Sequence, residues 1–309
     1  AMRVVCVLCL VLVAVAHASF DFSGEYALVS GGGSGIGLGV AENFAAYGGG
    51  VYFVGRNVTR GAEIEERINS NSTVIQAGGF AKFYHTDMSD LDSVSALFET
   101  LQDIADVDGH LVRHFANSAG IGGFFGVLDT VPGDVFLSEH DAVLNNLYGT
   151  MYMNRAEIQY IKANDIEGAA IVNLSSYNGL RACAGSAMYS MSKHGIIGLT
   201  QSVAAENVGN IRVNAVAPGL VDTPLTWNQC KTMRDPTAQS YDGVWIYDKN
   251  DMEYLECFAP LKPSIEAGLP GHTMVSPYDI ADTVIFLMSD NAAMISGTTV
   301  SVDNTASAT

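Results

Sequence analysis

Two patterns of apolar positions alternate along the chain from Tyr26 onward. Short, nearly continuous runs of Val, Ile, Ala and Phe recur at Tyr26–Ser30, Val51–Gly55, Phe80–His85, Leu111–Ala116, Ala169–Leu174, Ile211–Ala217 and Thr298–Val302. An extended run apolar on both faces is what a strand covered on both sides requires. Helix-length segments lie between them, among them Gly37–Tyr47, Ser89–Ala105, Val143–Ala163, Ser186–Val208 and Pro277–Met288. Strand–helix alternation at this spacing predicts right-handed crossovers and an α/β domain built on a doubly wound parallel sheet. No internal repeat, Pro-rich linker or low-complexity segment divides the chain, so residues 24–309 read as one domain.

Two stretches break the regularity. Residues 224–276 interleave Trp227, Tyr241, Trp245, Tyr247, Tyr254 and Phe258 with Asp and Glu, without clear periodicity. A connection of that length is as a rule functional or disordered, and its aromatic content argues against disorder. It is read as an enlarged substrate lid, with a structural insertion as the alternative. At the other end, Met2 and Arg3 precede the apolar run Val4–Ala16, and Ala16-His17-Ala18 has the small-x-small form of a cleavage site. Residues 1–18 therefore read as a secretory signal peptide, which directs the protein to the secretory pathway or outside the cell. The apolar run is short for a bilayer span, so a membrane anchor is the weaker alternative and no stable membrane association is expected once the leader is removed. A plastid presequence or a cytoplasmic location are the other readings.

Composition changes this picture little. Of 309 residues, 48% are hydrophobic, enough for a sizeable core. Asp and Glu number 33 against 15 Lys and Arg, for a net charge of −18. Such a surface repels phosphate backbones and anionic lipids, which argues against a nucleic-acid partner. Cys6 and Cys9 leave with the leader, and Cys183, Cys230 and Cys257 are odd in number and show no ligand spacing. The His residues contain no HxH pair, so no metal is expected. No G-x-S-x-G elbow surrounds Ser175 or Ser176, which excludes the common serine-hydrolase arrangement.

Chemistry enters at two places. Ser30-Gly31-Gly32-Gly33-Ser34-Gly35-Ile36-Gly37 follows the first predicted strand and opens the first helix. Glycine there permits a sharp turn, close approach of backbone N–H groups to a pyrophosphate, and close packing of helix on strand. Further on, Tyr189-Ser-Met-Ser-Lys193 lies in a helical stretch, where a spacing of four puts both side chains on one face. Ser176 precedes Tyr189 by thirteen residues, at the end of a predicted strand.

In this order, the motifs resemble the short-chain dehydrogenase/reductase family, in its form with Gly31-x-x-x-Gly35-x-Gly37 and Tyr189-x-x-x-Lys193, and the resemblance extends over nearly all of residues 24–309. It implies a Rossmann-type fold, a nicotinamide cofactor, and hydride transfer between that cofactor and a ketone or secondary alcohol. It implies that Asp87, with Met88 beside it, receives the adenine. Asn117, Ala119 and Gly120 are similar to the family's segment after the fourth strand, with Ser118 in place of a second Asn; the alternative for Asn117 is that it only pins neighbouring strands. Pro218, Gly219, Val221 and Thr223 match the segment that holds the nicotinamide carboxamide. Asn146, in Asn146-Leu-Tyr-Gly149, matches a fourth catalytic position and is expected to hold a water that links Lys193 to solvent. A homodimer or homotetramer is the assembly the resemblance implies.

The roles follow from charge. A tyrosine titrates near 10 when unperturbed, so it needs help to exchange protons near neutrality. Lys193 and an oxidised nicotinamide both favour phenolate and are expected to lower Tyr189, which acts as acid/base. Ser176 donates a hydrogen bond to the substrate oxygen. Cofactor choice rests on Val54-Gly55-Arg56-Asn57, which has no carboxylate to repel a 2′-phosphate and offers the Arg56 guanidinium instead, so NADP(H) is favoured over NAD(H). A nicotinamide-binding regulatory or scaffold protein without turnover is the alternative on the same fold. Two departures from the family pattern stand out: Arg113 and His114 in a strand expected to be buried, and Asn304 where Gly often follows Asp.

Overall fold

The computed structural model describes residues 20–123, 126–130, 133, 140–227 and 274–304. The leader, and residues 228–273 of the expected lid, lie outside them. Seven strands form one sheet in the order β3-β2-β1-β4-β5-β6-β7, with every pair parallel. They are β1 (Tyr26–Ser30), β2 (Gly50–Gly55), β3 (Phe80–His85), β4 (Val112–Asn117), β5 (Ala169–Leu174), β6 (Ile211–Pro218) and β7 (Thr299–Val302). The doubly wound parallel sheet expected from the apolar runs, and the Rossmann-type fold that the resemblance implies, are what forms. Each expected strand is present to within about one residue at either end.

Both faces of the sheet are covered because successive side chains of a strand alternate between them. On β1, Ala27 and Val29 enter one core with Phe44, Phe53 and Ile285, while Leu28 enters the other with Phe115, Met153 and Ile171. Helices α1 (Gly35–Ala46) and α7 (Pro277–Met288) pack on the first face. Helices α4 (Leu91–Asp108), α5 (Gly149–Ala163) and α6 (Ala187–Glu206) pack on the second. Chain order reverses between β1 and β4, and the crevice at the carboxyl ends of those strands is where such a sheet accepts a ligand.

Two departures from the expected elements have physical reasons. Helices α2 (Val58–Asn69) and α3 (Ser72–Ala77) fill the crossover between β2 and β3. Asn57 caps α2 by accepting from Arg60 N at 2.9 Å, and the helix buries Gly61, Ile64 and Ile68. The expected continuous helix Val143–Ala163 instead begins as a turn at His140–Val143, widens into a π segment at Leu144–Tyr148, and becomes regular only in α5. The π segment accommodates Asn146, whose side chain turns inward and is fully buried.

The two sequence oddities are also accounted for. His114 is buried against Phe22 and Phe44, and its Nε2 meets the Glu25 carboxylate. Arg113 pairs with Asp290 at 2.6 Å and lies 3.8 Å from Glu25. Polar residues on β4 thus form an ion cluster at the amino edge of the sheet. Asn304 sits at φ 51, the left-handed region that Gly favours and Asn tolerates.

Candidate active site

A cavity of about 310 Å³ opens along the carboxyl edge of the sheet. Its walls include the expected Gly31, Ser34, Gly35, Ile36, Arg56, Asp87, Met88, Ala119 and Gly120. Ser176, Tyr189, Lys193, Pro218, Gly219, Val221 and Thr223 complete it. Residues from almost two hundred positions apart are therefore brought to one crevice by the strand ends that carry them.

Four of the expected residues stand one layer behind the wall. Ser30 Oγ accepts from Ser118 N at 3.1 Å and from Ala119 N at 3.3 Å, tying the turn after β1 to the turn after β4. Gly37 lies where a Cβ would come within 2.5 Å of Gly31 O, so α1 can rest on the loop only without a side chain there. Asn117 donates to Asn173 Oδ1 and Glu157 Oε2, both inside the protein. Asn146 donates to Ile121 O at 2.9 Å and accepts from Ile121 N at 2.8 Å. That pairing ties its side chain to the loop after β4.

The glycine loop is shaped for a close ligand. Gly31, at φ +66, packs so near Ala119 that a Cβ would lie 2.7 Å from its Cα. Ser34 makes no side-chain cap on α1, and with Gly35 and Ile36 at the start of that helix it lines the cavity, leaving first-turn N–H groups without helical partners there. Two arginines line the cavity as well. Arg56 was expected; Arg60, from the first turn of α2, also donates from Nε to Gly33 O at 3.3 Å. Arg60 was missed because α2 itself was not anticipated, although Asn57 three positions earlier is a cap signal. Thr86, also unanticipated, lines the wall with a buried hydroxyl that has no partner among the described residues.

The chemical end is built on α6 and the end of β5. Lys193 is buried; its Nζ donates to Leu174 O at 2.9 Å and lies 5.6 Å from the centroid of the Tyr189 ring. Ser175 Oγ donates to Lys193 O at 2.8 Å, clamping α6 to the strand end. Ser176 Oγ accepts from Asn178 N at 3.2 Å and is also hydrogen-bonded to the Tyr189 side chain. The Ser176 hydroxyl therefore sits beside the Tyr189 phenol on the cavity wall.

Burial decides the protonation states. It pushes the Tyr189 phenol up to about 12, opposed only by the bond with Ser176. It pulls the Lys193 ammonium down to about 8. In the protein alone the Lys193 ammonium is turned to Leu174 O and burial sets the direction of the Tyr189 shift; the lowering expected from Lys193 and an oxidised nicotinamide together belongs to the bound state. The phenol is held neutral, the form that donates a proton.

Among the described residues, no cluster of three or more His, Cys, Asp or Glu is placed to hold a metal. His110 and His114, four apart, diverge: His110 stacks on Tyr26 at 4.1 Å between centroids while His114 faces Glu25. No helix among those residues is long and apolar enough to cross a membrane.

The sequence pattern of the short chain dehydrogenase family matches residues 25–234. A 3beta-hydroxysteroid dehydrogenase of Mediterraneibacter gnavus is 31% identical over 290 residues, covering 91% of this chain and 94% of that protein. A 3-oxoacyl-[acyl-carrier-protein] reductase of Chlamydia trachomatis is 31% identical over 281 residues, covering 90% and 95%. Among solved structures, an actinorhodin polyketide ketoreductase with NADPH aligns at a TM-score of 0.73 with 25% identity, covering 91% of this chain and 96% of that one.

Proposed function

The chain belongs to the short-chain dehydrogenase/reductase family, a family of oxidoreductases acting on CH–OH and C=O groups, and from that premise we propose that it reduces a ketone, or oxidises the matching secondary alcohol, with NADP(H), using Tyr189 as acid/base. One observation carries this reading. Ser176, Tyr189 and Lys193 line the same cavity as the glycine loop.

The residues present fit a dinucleotide. Side-chain-free backbone at Gly31 and Gly37 brings the N-terminus of α1 close to a pyrophosphate. Thr86 and Asp87 offer polar groups for the adenine end, and Pro218, Gly219, Val221 and Thr223 border the nicotinamide end. When bound, the nicotinamide supplies or takes up the hydride.

The chain's own groups supply the rest. In reduction, Tyr189 Oη delivers its proton to the carbonyl oxygen as the C–H bond forms, and Ser176 donates to that oxygen as negative charge develops on it. Lys193, released from Leu174 O, binds the nicotinamide ribose and offsets the charge left on the phenol. The route for reprotonation runs past Gly120, beside which both Asn146 Oδ1 and Lys193 Nζ lie.

NADP(H) is preferred because two guanidinium groups, Arg56 and Arg60, border the end of the cavity next to β2. The test is turnover of NADPH and NADH with a panel of ketones, steroid and acyl ketones first because the two relatives are named for them. A kcat/KM ratio of NADPH over NADH above one is expected. Arg60→Ala should lower it by about tenfold, the effect of one charge-assisted hydrogen bond. A ratio below one in the unmodified protein overturns the cofactor assignment, and binding of NADPH with no turnover across the panel overturns the reaction.

A further inference from the structure

A second polar cluster lies beneath the site and takes no part in the chemistry above. Glu157, on α5, is completely buried between the sheet and its own helix. Its Oε2 accepts from Asn117 Nδ2 of β4 and from Asn154 Nδ2 of α5, each at 3.2 Å. Asn154 also exchanges hydrogen bonds with Asn173 of β5, at 2.9 and 3.0 Å. Asn173 Nδ2 then donates to Thr200 Oγ1 of α6 at 3.0 Å. The cluster thus joins four elements, and each one carries part of the site. Asn117 leads into the loop to Gly120. Asn173 is followed by Leu174, which receives Lys193, and then by Ser176. Thr200 lies two turns beyond Lys193 on α6, and Asn154 two turns beyond Asn146.

The charge balance of this cluster is unusual. Its other members are neutral amides and a hydroxyl, and no ionised side chain acts on Glu157. The titratable groups of the surrounding elements are engaged or turned away. The carboxylates of α4 and Arg155 of α5 are exposed. On α6, Lys193 is bonded to Leu174 O. On β4, Arg113 and His114 belong to the ion cluster with Glu25 and Asp290. β5 has no titratable residue. Glu157 Oε1 and Asn117 Oδ1 are both buried without a partner among the described residues. An ionised carboxylate here would hold a full charge with one oxygen unsolvated, whereas the neutral acid holds none.

The geometry points to Glu157, in its neutral form, as a positioning residue that holds β4, β5, α5 and α6 together under the site, and whose ionisation loosens that floor. Burial pushes this carboxyl from its ordinary 4.5 up to about 8. Between those values the folded chain keeps a proton that the unfolded chain has lost, so stability falls as pH rises through that window and levels off above about 8. Glutamine keeps the shape and an acceptor for Asn117 and Asn154 but cannot ionise.

The experiment compares the intact protein with Glu157→Gln. Melting temperatures should agree at about pH 5, diverge in favour of the variant as pH rises, and stop diverging above about pH 8. The ratio of variant to unmodified kcat should be near one at about pH 6 and rise to about fivefold at about pH 9. Lys193 titrates in both proteins, so its contribution cancels in the ratio. A constant temperature gap, with a constant ratio, overturns the proposal. Should the variant fail to fold, infrared absorption of a carboxylic-acid C=O in the unmodified protein decides it: present at about pH 6 and lost at about pH 9 supports the proposal, absent at both overturns it. The kinetic half rests on the function proposed above, whereas the thermal and infrared halves do not, so failure of that reading would leave them standing.

Discussion

The sheet carries buried ionisable groups at both of its edges, and they are treated differently. At the amino edge, Glu25 touches His114 and lies near Arg113, and Arg113 holds Asp290. There each charge lies beside its opposite. The bond with His114 pulls the Glu25 carboxyl below its ordinary range, and burial keeps His114 low despite that carboxylate. At the carboxyl edge, Tyr189 and Lys193 are shifted by burial without any counter-ion. Perturbed titration is therefore common to both edges and does not identify the site. Missing counter-charges together with an open cavity do, because such groups remain available to a ligand.

Tyr189→Phe separates the edges most sharply. The ring and its packing survive, only the proton is removed, and kcat should fall by about 10²–10⁴-fold, the range for general acid–base catalysis. Melting temperature and NADPH affinity should change little. Retention of more than about a tenth of kcat would remove Tyr189 from the role of acid/base.

The mirror experiment is Glu25→Gln. It weakens the acceptor for a fully buried histidine and should cost about 1–2 kcal/mol of stability at neutral pH, with kcat unchanged. The sign can be checked by titration. A carboxyl lowered in the folded state contributes stability above its unfolded value and loses it as pH falls through the folded value. The gap between the two proteins should therefore close in acid. A kinetic effect as large as the thermal one would mean that the amino edge communicates with the cavity, and the contrast would fail.

The same contrast shows what the sequence could convey. Strands were legible because a parallel strand covered on both faces leaves a nearly unbroken apolar run, and the two chemical motifs were legible because strand ends fix where their residues go. Helix α2 was less so: Gly61, Ile64 and Ile68 are set among Arg60, Glu63, Glu65, Glu66 and Arg67, and little besides the Asn57 cap announces it. The π segment at Leu144–Tyr148 has no sequence rule behind it. Side chains engaged by neighbours were hardly legible, Asn117 alone offering the alternative of a tie between strands. Ser30, Asn117 and Asn146 look like ligand contacts in a motif, and become supports only when Ser118, Asn173 and Ile121 are seen beside them. Glu157 did leave a signal, since it falls four residues from both Met153 and Ile161 on the buried face of α5.

The finest test of the carboxyl edge is Gly120→Ala, set against Gly198→Ala on α6. A Cβ on Gly120 would lie 3.0 Å from Asn146 Oδ1 and 3.6 Å from Lys193 Nζ. Its φ is not in the left-handed region, so the backbone accepts alanine and the only demand is that Asn146 yield by a few tenths of an ångström. Asn146 is held at two points by Ile121, and the Lys193 ammonium is the softer neighbour. A displacement of that size at a group that orients the reacting atoms should lower kcat by about three- to tenfold while melting temperature stays nearly constant. Gly198, in the same helix as Lys193, has open space around its virtual Cβ. Alanine there should raise stability by about 0.5–1 kcal/mol, as for a helical glycine, and leave kcat alone. If both substitutions change kcat equally, the effect belongs to α6 as a whole; if only the first does, the contact of Asn146 and Lys193 across Gly120 is where the carboxyl edge sets its rate.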